Sequence, residues 1–221
     1  MSEPLGPGPH TRVRRLPEKA RYDEETIFAI LDEARMCHVA ALVDGRAVCL
    51  PTLHAREGHR LFLHANRSSA IALALLDQGE AWVSATIYDG LRLARSGFES
   101  SIAYRSVVVC GPVRDVQDDD EKRRVLDLFV DAVLPGRSGE VRPMSEREVR
   151  LTRVLEVVID EASAKVSAGP TDDDELDQNL EIWSGVVPAT LTFGDPVASR
   201  DGAMSAGTIR LPASVRRLLG S

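Results

Sequence analysis

The sequence predicts a mainly β domain with flanking α-helices, and three patterns indicate it. Short apolar runs at residues 37–43, 47–53 and 60–64 follow one another with turns between them. Residues 81–87 alternate between apolar and polar side chains, as in a strand with one buried face. Other segments repeat apolar residues at helical spacing instead. Strands in series joined by tight turns, such as Asp44-Gly45, favour an antiparallel meander.

Helices are predicted where a capping residue precedes an apolar stripe. Asp23 can accept from the free amides of a first turn, and an apolar stripe follows it at Ile27, Ile30, Leu31 and Ala34. Residues 118–134 begin with acids, which suit the positive helix end, and stop at Pro135-Gly136. Further helices are predicted at residues 68–76 (ended by Gly79), after Ser145, which has capping-box spacing, and as a short amphipathic segment at 213–219.

The remaining strands complete the predicted domain. A turn at Asp89-Gly90 is expected to lead into residues 91–96, and strands are expected at 107–109, 113–116, 155–159 and 190–193. The chain then divides into an extended N-terminal arm at 1–22, one domain at 23–194 with a helical insert at about 118–154, and a polar tail at 195–221.

Bulk composition bounds the function. The chain has 221 residues, a net charge of −7 and three widely spaced cysteines without a Cys-x-x-Cys pair. The charge argues against nucleic-acid and membrane-surface partners, although a local basic patch would survive it. Arg12, Arg14 and Arg15 make the start of the chain locally basic, and a solvated arm is expected there. The cysteines suit reduced thiols, and neither a membrane-spanning run nor a signal core is present. A cytoplasmic protein is expected.

No motif of a self-sufficient active site is present. The sequence lacks a nucleophile elbow, a Walker motif, a dinucleotide glycine motif and a His-Glu-x-x-His pair. Its histidines lack metal-ligand spacing, so no metal site is expected. Residues 172–175 are consecutive acids that point in different directions, which predicts a solvated loop. Any redox chemistry would therefore need a cofactor.

Two stretches have the residue types of a ligand site. Residues 96–106 carry four serines and one fixed cation, Arg105, which suits a phosphate but also an ordinary barrel corner. Residues 64–69 place His64 and two serines before a predicted helix. Free amides and hydroxyls at a helix start bind anions, although Ser69 also fits a plain N-cap.

These stretches resemble the pyridoxamine 5'-phosphate oxidase-like split-barrel family, in its flavin-nucleotide-binding and nitroimidazole-resistance-like branch. The resemblance covers about residues 12–190. It rests on these matches: Phe98, Ser101, Tyr104-Arg105-Ser106-Val107-Val108 and Gly111, the run Asp160 to Val166, and Ile182-Trp183-Ser184-Gly185-Val186-Val187-Pro188. The resemblance implies a six-stranded Greek-key split β-barrel that forms a homodimer with FMN at the interface.

The resemblance also implies a site and an activity, an FMN-dependent oxidoreductase acting on an unidentified small molecule. No catalytic residue is assigned. The implied cofactor-binding residues are Thr52, His64, Ser68, Ser69, Arg95, Ser96, Tyr104, Arg105, Ser106 and Trp183. Trp183 could wall a flavin ring or fill the core. The alternative is a module of the same fold that binds haem, a deazaflavin or no cofactor.

Four positions depart from the family pattern. Ala65 and Ala70 replace a glycine and an arginine, so Arg67 would have to supply the phosphate cation. Glu99 and Ser100 replace paired histidines. An ionised Glu99 would repel an anion, which predicts weaker FMN binding or an amine-bearing substrate, unless Glu99 points to solvent.

Overall fold

The computed structural model describes residues 5–197 and 210–220, in which a ten-stranded antiparallel sheet packs against helices. The strands are β1 Ala20–Arg21, β2 Cys37–Val43, β3 Arg46–Thr52, β4 His54–Glu57, β5 Arg60–Asn66, β6 Glu80–Leu93, β7 Ser101–Asp115, β8 Thr152–Val158, β9 Glu161–Ser167 and β10 Gly185–Pro188. The helices are α1 Glu24–Glu33, α2 Ala70–Gln78, α3 Asp119–Val133, α4 Glu146–Leu151 and α5 Ala213–Leu218.

The long hairpin of β6 and β7 organises the sheet, because each of its strands changes partner along its length. The main path runs β3-β2-β6-β7-β8-β5-β4, and the sheet does not close on itself. Strand β6 pairs with β2 near its start and with β10 near its end. Strand β7 pairs first with β9 and then with β8. The predicted class, mainly β with flanking helices in a split-barrel fold, is confirmed.

Two apolar clusters hold the layers together. The larger lies between α1, α2 and the inner face of the sheet, with Ile27, Ile30 and Leu75 contributing from the helices. The smaller packs α3 on the other face of β5, around Phe62 and Phe129. Strand β5 therefore separates two cores, and residues on its two faces contact different helices.

Capping residues set most helix ends as predicted. Asp23 and Asp118 accept from the amides of Thr26 and Glu121, and Ser145 and Glu148 form the predicted capping box. Helix α2 begins after Ser69, later than predicted, and Gly79 ends it in a left-handed conformation.

The predicted turn at Asp89-Gly90 is wrong, because β6 continues through it to Leu93 with a bulge between Tyr88 and Gly90. A Cβ on Gly90 would lie 2.2 Å from the carbonyl oxygen of Val187, so this glycine permits the close approach of β10 rather than a chain reversal. The reversal follows at residues 94–100.

Three other expectations about strands are corrected. The expected last strand at residues 190–193 is not formed, and the last strand within the described residues is β10, which ends at Pro188. Strand β4 was not anticipated between the predicted strands on either side of it. The sheet also holds ten strands rather than six.

The two chain ends have described segments packed on this fold. Leu5 is buried in the larger core, and β1 pairs with β9. Helix α5 packs near the end of α3, where Ser214 donates from its backbone and its hydroxyl to Glu140. The rest of the predicted arm and tail, residues 1–4, 198–209 and 221, lies outside the described residues.

Candidate functional site

A cavity of about 280 Å³ opens where the sheet is split. Strand β4 covers β5 only over Arg60 to Leu63, so no described strand pairs with that edge of β5 at residues 64–66. The end of β3 and the start of α2 close the gap. Three predicted cofactor-binding residues from three elements line it: Thr52, His64 and Ser69. Its apolar floor includes Val39, Leu63 and Leu155.

Hydroxyls, amides and one cation lie in the segment that leads from the cavity wall at Asn66 to the start of α2 at Ser69. Ser69 caps α2 by accepting from the amide of Ala72 at 3.5 Å. Ser68 is exposed and donates from its amide and hydroxyl to Asn66 Oδ1, at 3.0 and 2.8 Å. Arg67 is exposed between them, and no ion pair involves it within the described residues. The helix start therefore offers positive potential and an available cation.

His64 is the titratable residue of the cavity wall, and its ring lies on the α3 side of β5, on the opposite face to Leu63. Its ring contacts Phe129 of α3 edge-on, with centroids 4.7 Å apart. Desolvation in this wall lowers the pKa of the imidazole, which favours the neutral ring at neutral pH. A neutral imidazole has a free lone pair that can accept a hydrogen bond or bind a metal centre.

Arg105 lies in a second, larger cavity of about 680 Å³ and is already paired. Its Nε and Nη2 donate to Asp89 at 2.9 and 2.8 Å, and its Nη1 and Nη2 donate to Glu33 at 2.5 and 2.7 Å. These bonds raise the pKa of Arg105 and lower that of Glu33. A phosphate here would meet two carboxylates, so the guanidinium as placed ties α1 to the hairpin.

Arg95, Ser96 and Trp183 lie at the far end of the hairpin, away from the residues of the first cavity. The amide and Nη1 of Arg95 donate to Asp173 at 2.7 and 2.5 Å. The Asp173 side chain is mostly buried, so the predicted solvated acidic loop is wrong at this position. Trp183 is 65% exposed, so it does not fill the core of a single chain.

The serines of the turn at residues 94–100 bond to the turn itself. Ser96 Oγ accepts from the amide of Glu99 at 3.2 Å. Ser100 Oγ accepts from the amide of Ala94 and donates to the carbonyl of Ser96, at 3.1 and 2.9 Å. Ser100, one of the two residues that replace the paired histidines, therefore closes the turn.

Tyr104 and Ser106 occupy the face of β7 opposite to Arg105. They pair across the hairpin with Tyr88 and Thr86. Both are half-buried. The predicted site residues are thus distributed over three places: the split of the sheet, the Arg105 cavity with the adjoining outer face, and the far turn.

The residues that pair with the predicted site arginines were not predicted from the sequence. Glu33 and Asp89 are far from Arg105 along the chain, and only the docking of α1 on the hairpin brings all three together. A third cavity, between α1 and α3, contains the unanticipated His54. Its Nε2–H donates to the carbonyl of Leu31 at 2.8 Å, and its buried Nδ1 has no hydrogen-bond partner among residues 5–197 and 210–220. Burial lowers the pKa of this imidazole.

Metal-binding clusters and membrane-spanning helices are both absent from the described residues. No group of His, Cys, Asp and Glu side chains there could hold a metal ion. No helix in residues 5–197 or 210–220 has the length and apolar character needed to cross a membrane.

The chain is similar to one protein family over most of its length and to two solved structures over nearly all of it. Residues 23–166 match the family model described as pyridoxamine 5'-phosphate oxidase. The flavocytochrome Anf3 from Azotobacter vinelandii is 32% identical with a TM-score of 0.89, covering 97% of this chain and 98% of its own. The FAD and haem binding protein from Mycobacterium smegmatis is 37% identical with a TM-score of 0.84, covering 90% and 97%.

A more distant structure shares the fold. A candidate 5-nitroimidazole antibiotic resistance protein from Bacteroides thetaiotaomicron is 22% identical with a TM-score of 0.57, covering 66% of this chain and 86% of its own. No curated protein sequence matches the chain.

Proposed function

Because the chain belongs to the pyridoxamine 5'-phosphate oxidase family, we propose that it is a flavin-dependent oxidoreductase acting on a small molecule. One observation carries the proposal. Both near-full-length relatives, at 32% and 37% identity, are described as a flavocytochrome and as an FAD and haem binding protein. The similarity to the flavocytochrome covers 97% of this chain, so it extends beyond the matched family region at residues 23–166 on both sides.

The cavity at the split of the sheet has the groups that a flavin nucleotide requires. The apolar floor suits a flat ring, while Thr52 and Ser69 supply hydroxyls at its rim. The first amides of α2 suit a phosphate, as does Arg67, which forms no ion pair with the part of the chain that the structure describes. Arg67 thereby takes the place of the arginine that Ala70 replaces.

One chain alone provides only part of such a site. A cavity of about 280 Å³ is at the lower limit for pockets that bury a whole small ligand, and FAD is much larger than one ring. A second copy would supply the missing walls, which agrees with the homodimer that the family resemblance implies. The bound flavin would supply the electron-transfer chemistry, and the chain would supply the ring pocket, the phosphate contacts and the exclusion of water.

Haem is the second candidate ligand, and His64 favours it. A histidine imidazole is a common axial ligand of haem iron, and the exposed His64 lies beside Phe129 at the split of the sheet. Both near-full-length relatives are described as carrying a cytochrome or haem function besides flavin. On this basis FAD with haem is preferred to FMN alone, and a deazaflavin has no comparable support.

An absorbance spectrum tests the proposal. Absorbance spectra of the purified protein, before and after reconstitution with FAD, FMN or haemin, are compared for flavin bands and a Soret band. The mass of the released cofactor identifies it. His64→Ala should lose the Soret band and keep the flavin bands. His59→Ala, on the exposed turn after β4, should keep both. A protein that binds none of these cofactors would refute the proposal, and a Soret band unaffected by His64→Ala would refute the assigned ligand.

A further inference from the structure

Six cations form a strip along the N-terminal arm and the strand that it covers. The basic strip consists of Arg12, Arg14, Arg15, Lys19, Arg21 and Lys165. The four arginines are exposed, and the two lysines are partly exposed. Within the described residues most other arginines form ion pairs. None of the six cations of the strip forms an ion pair with any of these residues. Glu18 is the single acid within residues 12–21.

The strip has a defined position on the protein, because contacts at several points hold the N-terminal arm against the sheet. Leu5 is buried, and its carbonyl accepts from the amide of Ala162 at 2.9 Å. The hydroxyl of Tyr22 accepts from the amide of Val13 at 3.1 Å. Strand β1 pairs with β9, opposing Ala20 to Lys165, whose Nζ donates to the carbonyl of Arg15 at 3.2 Å.

An apolar side chain lies at the centre of this strip. Leu16 is 42% exposed and has a left-handed backbone, with φ 56° and ψ 59°. This conformation is unfavourable for leucine and persists only where the surrounding structure fixes it. Here the Leu16 carbonyl accepts from the amide of Lys19 at 3.0 Å, closing the turn that presents the side chain between Arg15 and Lys19.

We propose that the basic strip docks on an anionic lipid membrane, with its cations at the headgroup phosphates and Leu16 in the interface. A cluster of four to eight Lys and Arg residues beside an exposed apolar residue is the composition of an interfacial membrane contact. Averaged over the whole surface, the net charge of −7 predicts no such affinity. The same charge elsewhere repels the membrane and so orients the protein with the arm towards it.

Co-sedimentation of the full chain with lipid vesicles tests the proposal. Vesicles of phosphatidylcholine with phosphatidylglycerol should bind the protein, and vesicles of phosphatidylcholine alone should not. Added salt should weaken the binding, because it screens exposed charges. Each cation near an anionic surface contributes about fivefold, so combined Arg12→Gln, Arg14→Gln and Arg15→Gln should reduce binding on the order of 100-fold.

Two further variants separate the strip from net charge and from folding. Combined Arg142→Gln, Arg147→Gln and Arg150→Gln removes as many exposed charges from the region of α4 and should keep the binding. Leu16→Asn should reduce it about tenfold without loss of thermal stability, since asparagine tolerates the left-handed backbone. Equal loss in both triple variants would overturn the proposal. So would retention on immobilised heparin without binding to anionic vesicles, which would point to a different polyanion.

Discussion

At the scale of single residues, Arg105 is the side chain whose expected and observed environments differ most. The family signature places it at a phosphate or flavin carbonyl, whereas the structure shows four hydrogen bonds to Glu33 and Asp89. We therefore expect Arg105→Ala to lower the free energy of unfolding by about 1 kcal/mol, the size of a partly exposed ion pair. Chemical denaturation measures this value. Adding Glu33→Ala to the Arg105→Ala variant should lower the free energy of unfolding only a little further.

The pH dependence of that loss follows from Glu33. The hydrogen bond from Arg105 lowers the Glu33 pKa below its usual 4.5. A lowered acid pKa gives stability that is present above the unfolded pKa and is lost as the pH falls through the folded value. The difference between parent and Arg105→Ala should therefore be constant above about pH 5 and shrink below it. If flavin affinity fell strongly with stability unchanged, Arg105 would contact the cofactor instead.

His54 gives a second prediction at this scale, with a different pH window. Burial lowers its pKa in the folded chain, and Nδ1 has no partner for an added proton. The unfolded chain takes up that proton below the ordinary histidine pKa of 6.5, so stability should fall as the pH drops from 7 to 5, by at most about 1.4 kcal/mol per pH unit. His54→Gln should flatten this slope and His38→Gln, on the exposed face of β2, should not. Parallel slopes in all three proteins would contradict the assignment.

At the scale of elements, one buried carboxylate connects three strands. Glu156 of β8 is 3% exposed and accepts from Arg114 of β7 at 3.0 and 2.8 Å and from Arg60 of β5 at 3.5 Å. Arg60 also bonds to Glu121 of α3, whose pKa the neighbouring Arg124 lowers to about 2. This network fixes α3 over the second core.

Replacing this carboxylate should therefore cost more than replacing an exposed one. Glu156→Gln is expected to lower the free energy of unfolding by about 2 kcal/mol, since it removes charged hydrogen bonds at a buried position. Glu146→Gln breaks the exposed pair with Arg123 and should cost less than 1 kcal/mol. Denaturant melts of the two variants provide the comparison. Equal losses of unfolding free energy in the two variants would show that burial does not strengthen the hydrogen bonds of Glu156.

Elements with local signals were predictable from the sequence, and those set by distant partners were not. Asp23, Asp118 and the Ser145 capping box marked helix starts, because a cap acts within one turn. Gly90 looked like a turn residue, yet its role depends on β10, which lies almost a hundred residues later. The same holds for the site. Thr52, His64 and Ser69 were found through motif resemblance, whereas the ion pairs of Arg105 and Arg95 required the fold.

At the scale of the whole molecule, an exposed apolar face remains on the central hairpin. Leu91 of β6 opposes Ile102 of β7 on one side and Val187 of β10 on the other. All three are at least partly exposed, as are Tyr88 and Tyr104 on the continuing surface. A contiguous apolar row across three strands is unusual for a monomer surface and suits an isologous contact between two copies.

We therefore expect a homodimer built on this face. Light scattering should give twice the chain mass of 24.1 kDa. Ile102→Lys places a charge at the centre of the face and should produce a folded monomer, because an unpaired charge is costly to desolvate. Val133→Lys, on an exposed position of α3, should remain dimeric. Since the proposed flavin site needs walls from a second copy, the Ile102→Lys monomer should also lose flavin. A monomeric parent protein, or a monomeric variant that keeps full flavin affinity, would contradict an interfacial cofactor.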